Sequence, residues 1–471
     1  MRQQHKIFFF LIAVVLFSAS CKKWLDVKPG TQVSEDDQFS SESGFKEGLT
    51  GVYQMMAQPA LYGKELSYGF IDVLGQNYTN TIVIGHEYFR AASYDYKDAA
   101  QEARINTIWS NMYTAISQLN YILKNIDGKK SVFSGNNYEI IKGEALALRA
   151  FLHFDLLRMF GPMNTNPGTL SIPYMKLFTV QPQNRISLQS ALESCIEDLK
   201  AAEALLEADK DGIGRLVTGG DTFLAYRQNK LNYWAVKGLM ARLYLYAGNE
   251  TLAFQKAKEV IDGKKFAFLK LAELNVQAPN VDRTATKEQL FGIYVTNLKA
   301  LTDPVFKTGA TSQVNFTFTI SNARKADLFR ATSDIRINPV FWSDSRGIVY
   351  YSKLWQEDNI AEDLKKRIPL MKLSEMYLIA AETAPTVSEG LEYFNLLRDA
   401  RIDVLLSAGT TEPVLLSEIA KEYRKDFICE GQLFFFYKRN NYVNIPGAIT
   451  GQMKESQYIF PLPNQEIEFG K

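Results

Sequence analysis

Apolar side chains recur three and four residues apart over most of this chain, and that spacing constrains the fold more than any other feature. Phe45, Leu49, Val52 and Met56 mark one helix face, and Ile105, Ile108, Met112, Leu119 and Ile126 mark a longer one, ended by Asp127-Gly128. Such stripes fit a helix and not a strand, whose side chains alternate with period two. Ile140 to Phe160 predicts a third helix, closed by Gly161-Pro162, because proline cannot continue the hydrogen-bond ladder. Ser187 is read as the N-cap of a helix over Leu188–Leu206, and Asn229 as the N-cap of the next.

Leu231 to Ile261 reads as a helical hairpin. In it Ala241, Tyr244, Gly248, Ala253 and Ala257 match the small-and-aromatic spacing of a tetratricopeptide repeat. The small residues let antiparallel helices approach, and Tyr244 fills the gap left between them. A second pair, Leu370–Ala384 and Ser388–Arg401, is divided by Pro385. The expected fold class is therefore mainly α: tetratricopeptide-like helical hairpins form a scaffold, and irregular loops and short β-hairpins carry the ligand surface.

Residues 1–20 differ from the rest. Arg2 and Lys6 precede an apolar run from Ile7 to Phe17, and Ser18-Ala19-Ser20 lead into Cys21. A charged start, a short apolar core and small residues before a cut site make a secretory signal. The run is shorter than a membrane-spanning helix requires. A cysteine directly after the small residues offers a thiol for lipidation, so Cys21 is expected to be the first mature residue and the lipid carrier. The alternative is plain secretion with an incidental thiol. Residues 21–40 then form an N-terminal tether, and 41–471 a single helical domain with insertions near 59–98 and 303–356.

Charge and cysteine content exclude several functions. Without residues 1–20 the chain has 51 basic against 52 acidic residues, with no basic stripe, so no nucleic-acid partner is expected. Cys195 lies on the apolar face of its helix and Cys429 in Phe427-Ile428-Cys429, which reads as two buried thiols in preference to a disulfide. No CxxC pair, HExxH helix, GxSxG elbow, Walker loop or dinucleotide fingerprint occurs, so no metal, cofactor or catalytic residue is assigned. His153 is read as packed beside Phe151 and Phe154, and His86 as an exposed loop residue.

The two insertions break the helical pattern with aromatic residues set among glycines and polar groups. Residues 59–98 hold Tyr62, Tyr68, Phe70, Tyr78, Tyr88, Phe89, Tyr94 and Tyr96. Residues 303–356 hold Val314 to Ile320, with the alternation of a strand, and then Phe341, Trp342, Tyr350, Tyr351 and Trp355. Asn77-Tyr78 with Asn80, and Trp342 followed by Asp344 and Arg346, join a flat ring to hydrogen-bonding groups. Asn77, Tyr78, Tyr94, Trp342, Asp344 and Arg346 are the candidate ligand-binding residues. Phe316, Phe318, Tyr113 and most tyrosines of 59–98 are expected to be core.

In order along the mature chain, short blocks resemble the SusD/RagB family of Bacteroidetes outer-membrane lipoproteins. They begin with Leu25-Asp26-Val27, Pro29, Gly51-Val52-Tyr53, Trp109, Tyr113 and Asn120. The most specific run is Gly143-Glu144-Ala145, Leu148-Arg149-Ala150, Phe154-Asp155-Leu156, Phe160-Gly161 and Ile172-Pro173. Arg367, Pro369, Met376-Tyr377-Leu378, Ala381-Glu382, Asn395, Arg398 and Arg401 follow, then Glu430-Gly431-Gln432, Lys438-Arg439, Tyr458, Pro461, Pro463 and Glu466-Ile467. Leu433, Phe436 and Leu146 depart from the pattern, the first and last standing where arginine is usual and the second where aspartate is.

The resemblance implies a surface-exposed, lipid-anchored protein of the outer membrane. Such a protein binds an oligosaccharide and passes it, without cleavage, to a SusC-type TonB-dependent transporter. Some relatives take peptides instead. Two other readings are a lipid-anchored glycoside hydrolase, which needs two acids facing each other across a cleft, and a structural lipoprotein that steadies the barrel.

Overall fold

The computed structural model describes residues 35–215, 222–274, 281–306, 316–330, 333–345, 348–351, 353, 354, 361 and 364–470. Cys21 and Arg346 lie outside these residues, as do the signal and most of the tether.

Twelve helices organise the described residues. They are α1 (Glu42–Met56), α2 (Ala99–Ile126), α3 (Asn137–Phe160), α4 (Leu188–Leu206), α5 (Tyr233–Tyr246), α6 (Glu250–Asp262), α7 (Leu298–Phe306), α8 (Asn322–Leu328), α9 (Leu373–Thr383), α10 (Val387–Ala400), α11 (Glu412–Asp426) and α12 (Leu433–Arg439). Shorter helical turns lie between them. From α1 to α6 each helix packs on the next; α6 packs on α9, α9 on α10 and α10 on α11. This is the array of helical hairpins expected from the sequence.

The α5–α6 hairpin shows how the repeat spacing works. Ala241, Ala253 and Ala257 are fully buried at the helix contact with Tyr244 beside them. The turn between the helices needs a left-handed residue, supplied by Gly248 at φ +75°. Asn249 then caps α6 by accepting from the Leu252 N–H at 3.1 Å. Ser187 caps α4 as expected, accepting from Ser190 N–H at 3.1 Å. The cap of α5 is Asn232 and not Asn229: its side chain accepts from Trp234 and Ala235 at 3.0 and 3.1 Å. Asn229 belongs to a separate 3-10 turn, Arg227–Asn229.

Helix α3 is buried along almost its whole length, including the charged Glu144, Arg149, Asp155 and Arg158. Arg149 pairs with Asp198 of α4 through Nε and a terminal nitrogen at 2.7 and 2.6 Å, a bidentate contact that satisfies both charges. It also donates to Asn120 Oδ1 at 2.9 Å, while Asn120 donates to Met175 O at 2.8 Å. Asp155 bonds Arg158 and accepts from Tyr62 OH at 2.7 Å. Gly143 is where α4 crosses closest, since a Cβ there would lie 2.7 Å from Leu206 Cγ.

Strands are few. β1 (Gln289–Tyr294) pairs antiparallel with β4 (Arg367–Lys372), with Tyr294 opposite Arg367. β2 (Trp342–Ser345) pairs with β3 (Ile348–Tyr351) as a hairpin. Two expectations change here. Leu370 to Lys372 is strand and not helix, because its backbone pairs with β1, Met371 opposite Phe291 and Lys372 opposite Gln289. Nor do Phe316 to Ile320 form a strand; residues 314 and 315 lie outside the described set. Their backbone bonds go to separate segments: Phe318 N–H to Val305 O at 2.9 Å, Ile320 N–H to Val349 O at 3.0 Å, and Thr319 O from Thr79 N–H at 2.7 Å. Phe318 is core as expected, but Phe316 is 44% exposed.

Cys195 and Cys429 are separate buried thiols. Among the described residues no helix is long and apolar enough to cross a membrane.

Candidate functional site

The residues singled out in the insertions divide by burial. Tyr78 is 1% exposed; its ring stacks on Phe318 at 4.4 Å and its hydroxyl donates to Tyr68 O at 3.0 Å. Asn77 is also 1% exposed. Tyr94 is buried and donates to Leu74 O at 2.9 Å. These three face the core and present no ring face to a ligand. They read as candidates because tyrosine beside asparagine looks the same in sequence whether it faces water or another loop. His86 is buried too, with Nε2 2.9 Å from Thr317 O and Nδ1 accepting from Tyr88 N–H at 3.2 Å, so the expected exposure does not hold.

Trp342 and Asp344 lie at the β2–β3 hairpin. Asp344 is exposed and Trp342 half-buried. The indole donates to Arg336 O at 2.8 Å, packs against Phe329 and Tyr351, and carries Lys325 Nζ 4.2 Å from its ring centroid. The described part of this hairpin does not gather the candidate residues into one concavity.

A cleft of about 520 Å³ opens elsewhere, at the end of the β1–β4 ribbon, between the C-terminal half of α1 and residues 222–230. Tyr53, Tyr226 and Tyr294 supply flat rings, and Gln54, Gln58, Asn229 and Asn297 supply amides. Lys230, Lys365 and Arg367 line it as well, and among the described residues no carboxylate does. Rings with convergent polar groups in a concave site are the usual make-up of a small-molecule site. A sugar suits it, since its C–H faces stack on aromatic rings and its hydroxyls bond amides and cations.

A chain of buried bonds fixes the cleft's wall. Arg227 is fully buried between Asp209 and Glu144, with Nε 2.6 Å from Asp209 Oδ2 and a terminal nitrogen 2.6 Å from Glu144 Oε1. Glu144 Oε2 accepts from Tyr53 OH at 2.6 Å, and that hydroxyl accepts from Leu231 N–H at 2.9 Å. Burial and the adjacent Glu144 charge hold the Tyr53 hydroxyl far above the ordinary phenol range. Gln228 ties the same loop to the ribbon, donating to Thr286 O and Gln289 O at 3.0 and 2.8 Å.

Two details aim groups into the space. Tyr226 sits at φ +50°, ψ +47°, a left-handed conformation unusual for a bulky residue, and its side chain is 60% exposed. Asn229 Oδ1 is buried without a hydrogen-bond partner. On the ribbon, Gly292 leaves room for Arg367, whose Cγ would lie 2.7 Å from a Cβ at that position. Sequence reasoning missed this site because its rings come from three stretches far apart, each with one tyrosine among ordinary helix or strand residues.

A second hollow of about 570 Å³ lies between α2, residues 173–183 and the C-terminal segment, with Trp109 and Tyr113 on its floor and Glu466 at its edge. Its rim is largely apolar, with Leu177, Val180 and Phe469 more than half exposed. Among the described residues no group of three or more His, Cys, Asp or Glu side chains could hold a metal ion.

The fold is a mainly helical scaffold of paired helices, and known proteins share it. A SusD-like family model described as "Starch-binding associating with outer membrane" matches residues 23–245. Over those residues, a little under half of its length, the chain is similar to the SusD-like family. Over 91% of its length it superposes on a SusD superfamily protein of Bacteroides thetaiotaomicron, at 22% identity, with a TM-score of 0.71 and 98% of that chain covered. It likewise superposes over 91% on a SusD-like carbohydrate binding protein of Bacteroides vulgatus, at 20% identity, with a TM-score of 0.72 and 96% of that chain covered. It is also 20% identical over 264 residues to a SusD-like protein of Formosa agariphila. That match takes in 54% of this chain and 46% of the relative, so it spans less than half of the relative's length.

Proposed function

We propose that this protein captures a glycan in the Tyr53–Tyr226–Tyr294 cleft and hands it intact to a SusC-type TonB-dependent transporter, held at the outer surface by a lipid on Cys21. The observation that carries the reading is the convergence of three tyrosines, four amides and three cations in one cleft of a SusD-like fold. Stacking and hydrogen bonding hold a sugar without activating it. The absence of carboxylates from the cleft's described lining supports binding over hydrolysis, since a glycosidase needs an opposed pair of acids.

Calorimetric titration of the mature chain with a broad oligosaccharide panel tests this. Saturable binding to at least one sugar, with the sugar recovered uncleaved, is expected. No binding across the panel, or release of shorter products, would contradict it.

A further inference from the structure

Lys230 is the unusual cation of this cleft. Its Nζ lies 4.3 Å from the centroid of the Tyr53 ring, and among the described residues it has no hydrogen bond or ion pair. Lys365 and Arg367 on the opposite wall have other partners. Glu144, the acid whose charge acts on Lys230, is already committed to Arg227 and Tyr53 OH. Burial lowers the Lys230 pKa from its ordinary value; the Glu144 charge opposes this and the Arg227 charge adds to it. A half-buried ammonium that has shed water and gained only a ring face is poised to pair with an anion. The unpartnered Asn229 Oδ1 next to it accepts hydrogen bonds, which suits a hydroxyl beside that anion.

The geometry points to an acidic glycan, one bearing a carboxylate or a sulfate on the ring seated at Tyr53, with Lys230 as the group that selects the charge. This inference rests on the cleft being the glycan site. The anion replaces the water that Lys230 gave up, whereas a neutral sugar leaves that cost in place.

The test uses the full mature chain and three oligosaccharide sets of matched length: neutral, uronate-bearing and sulfated. The acidic set that fits is expected to bind at least about tenfold tighter than its neutral counterpart, and to weaken as salt rises from about 0.05 to 0.5 M. Lys230→Gln should abolish the preference and Lys230→Arg should keep most of it, with both variants unfolding at the wild-type temperature. The uronate and sulfate arms separate the two anion sources. Equal or tighter binding of the neutral set, or a preference that survives Lys230→Gln, overturns the proposal but leaves the glycan reading standing. Should Lys230→Gln fail to fold, wild-type salt dependence decides: salt-independent affinity for the acidic set overturns it. Silence from all three sets overturns the glycan reading as well.

Discussion

The Tyr53 hydroxyl and the Glu144 carboxylate lie 2.6 Å apart in the protein interior, while the ring of the same tyrosine faces the cleft beneath Lys230. One side chain thus joins the buried charge network to the proposed binding surface. Because the hydroxyl is held from both sides, the ring cannot swing, and the stacking surface is set before a ligand arrives.

Tyr294 is the ring that can be removed at least cost to the fold, since it ends β1 and is only half-buried. Tyr294→Ala is expected to weaken sugar binding by roughly tenfold or more, equivalent to about 1.4 kcal/mol, and to move the unfolding temperature little. Calorimetry and thermal unfolding of the same sample read both effects. Unchanged affinity would place the sugar elsewhere.

Tyr78→Ala separates core from site. Its ring is fully enclosed and stacked on Phe318, so truncation should cost about 3–5 kcal/mol, as for other large aromatic residues. Urea unfolding should show a lowered midpoint, and any folded fraction should bind sugar normally. Full stability with lost binding would reverse the assignment.

Arg227→Met removes the cation that bridges Asp209 and Glu144, both buried. Asp209 keeps Arg215 at 3.4 Å, but Glu144 is left buried with no cation, which should cost about 3–5 kcal/mol. The variant should regain part of its stability at mildly acidic pH, where protonating an unpaired acid relieves the burial. A variant as stable as wild type at neutral pH would show that the network does not hold the cleft wall.

His153 gives a pH dependence of defined sign. Its Nε2 accepts from Met175 N–H at 2.9 Å, which places the ring proton on Nδ1, donating to Arg149 O at 2.9 Å. Burial first, then the charges of Arg149 and Lys176, hold the imidazole down at about 3 against an ordinary 6.5, despite the opposing Arg149 carbonyl. The unfolded chain therefore takes up a proton that the folded one refuses. The contribution is complete above pH 6.5 and is lost as pH falls towards 3, at about 1.4 kcal/mol per pH unit. The ring's NMR signals should stay those of the neutral form from about pH 7 to 5; a midpoint near the ordinary value would contradict the buried tautomer.

The helices were legible because each buries a stripe at helical spacing, and capping residues such as Ser187 declared their ends. Asn229 misled because an N-capping residue three positions on, Asn232, does the capping instead. The β4 strand was hidden inside an apolar run that continues directly into α9. Arg149 of α3 finds its partner on the neighbouring helix α4, but Arg227, which answers Glu144, lies in a loop with no periodic signal. The site was least legible. Aromatic density marked 59–98, where interlocking loops bury their tyrosines, whereas the cleft draws single tyrosines from α1, the 222–230 loop and β1.

Footprinting with hydroxyl radicals, with and without a saturating bound oligosaccharide, tests the location of binding most directly. Protection should fall on Tyr226 and Tyr294, the accessible rings of the cleft, with Trp342 as reactive as before. Protection at Trp342 with both tyrosines unchanged would contradict the account.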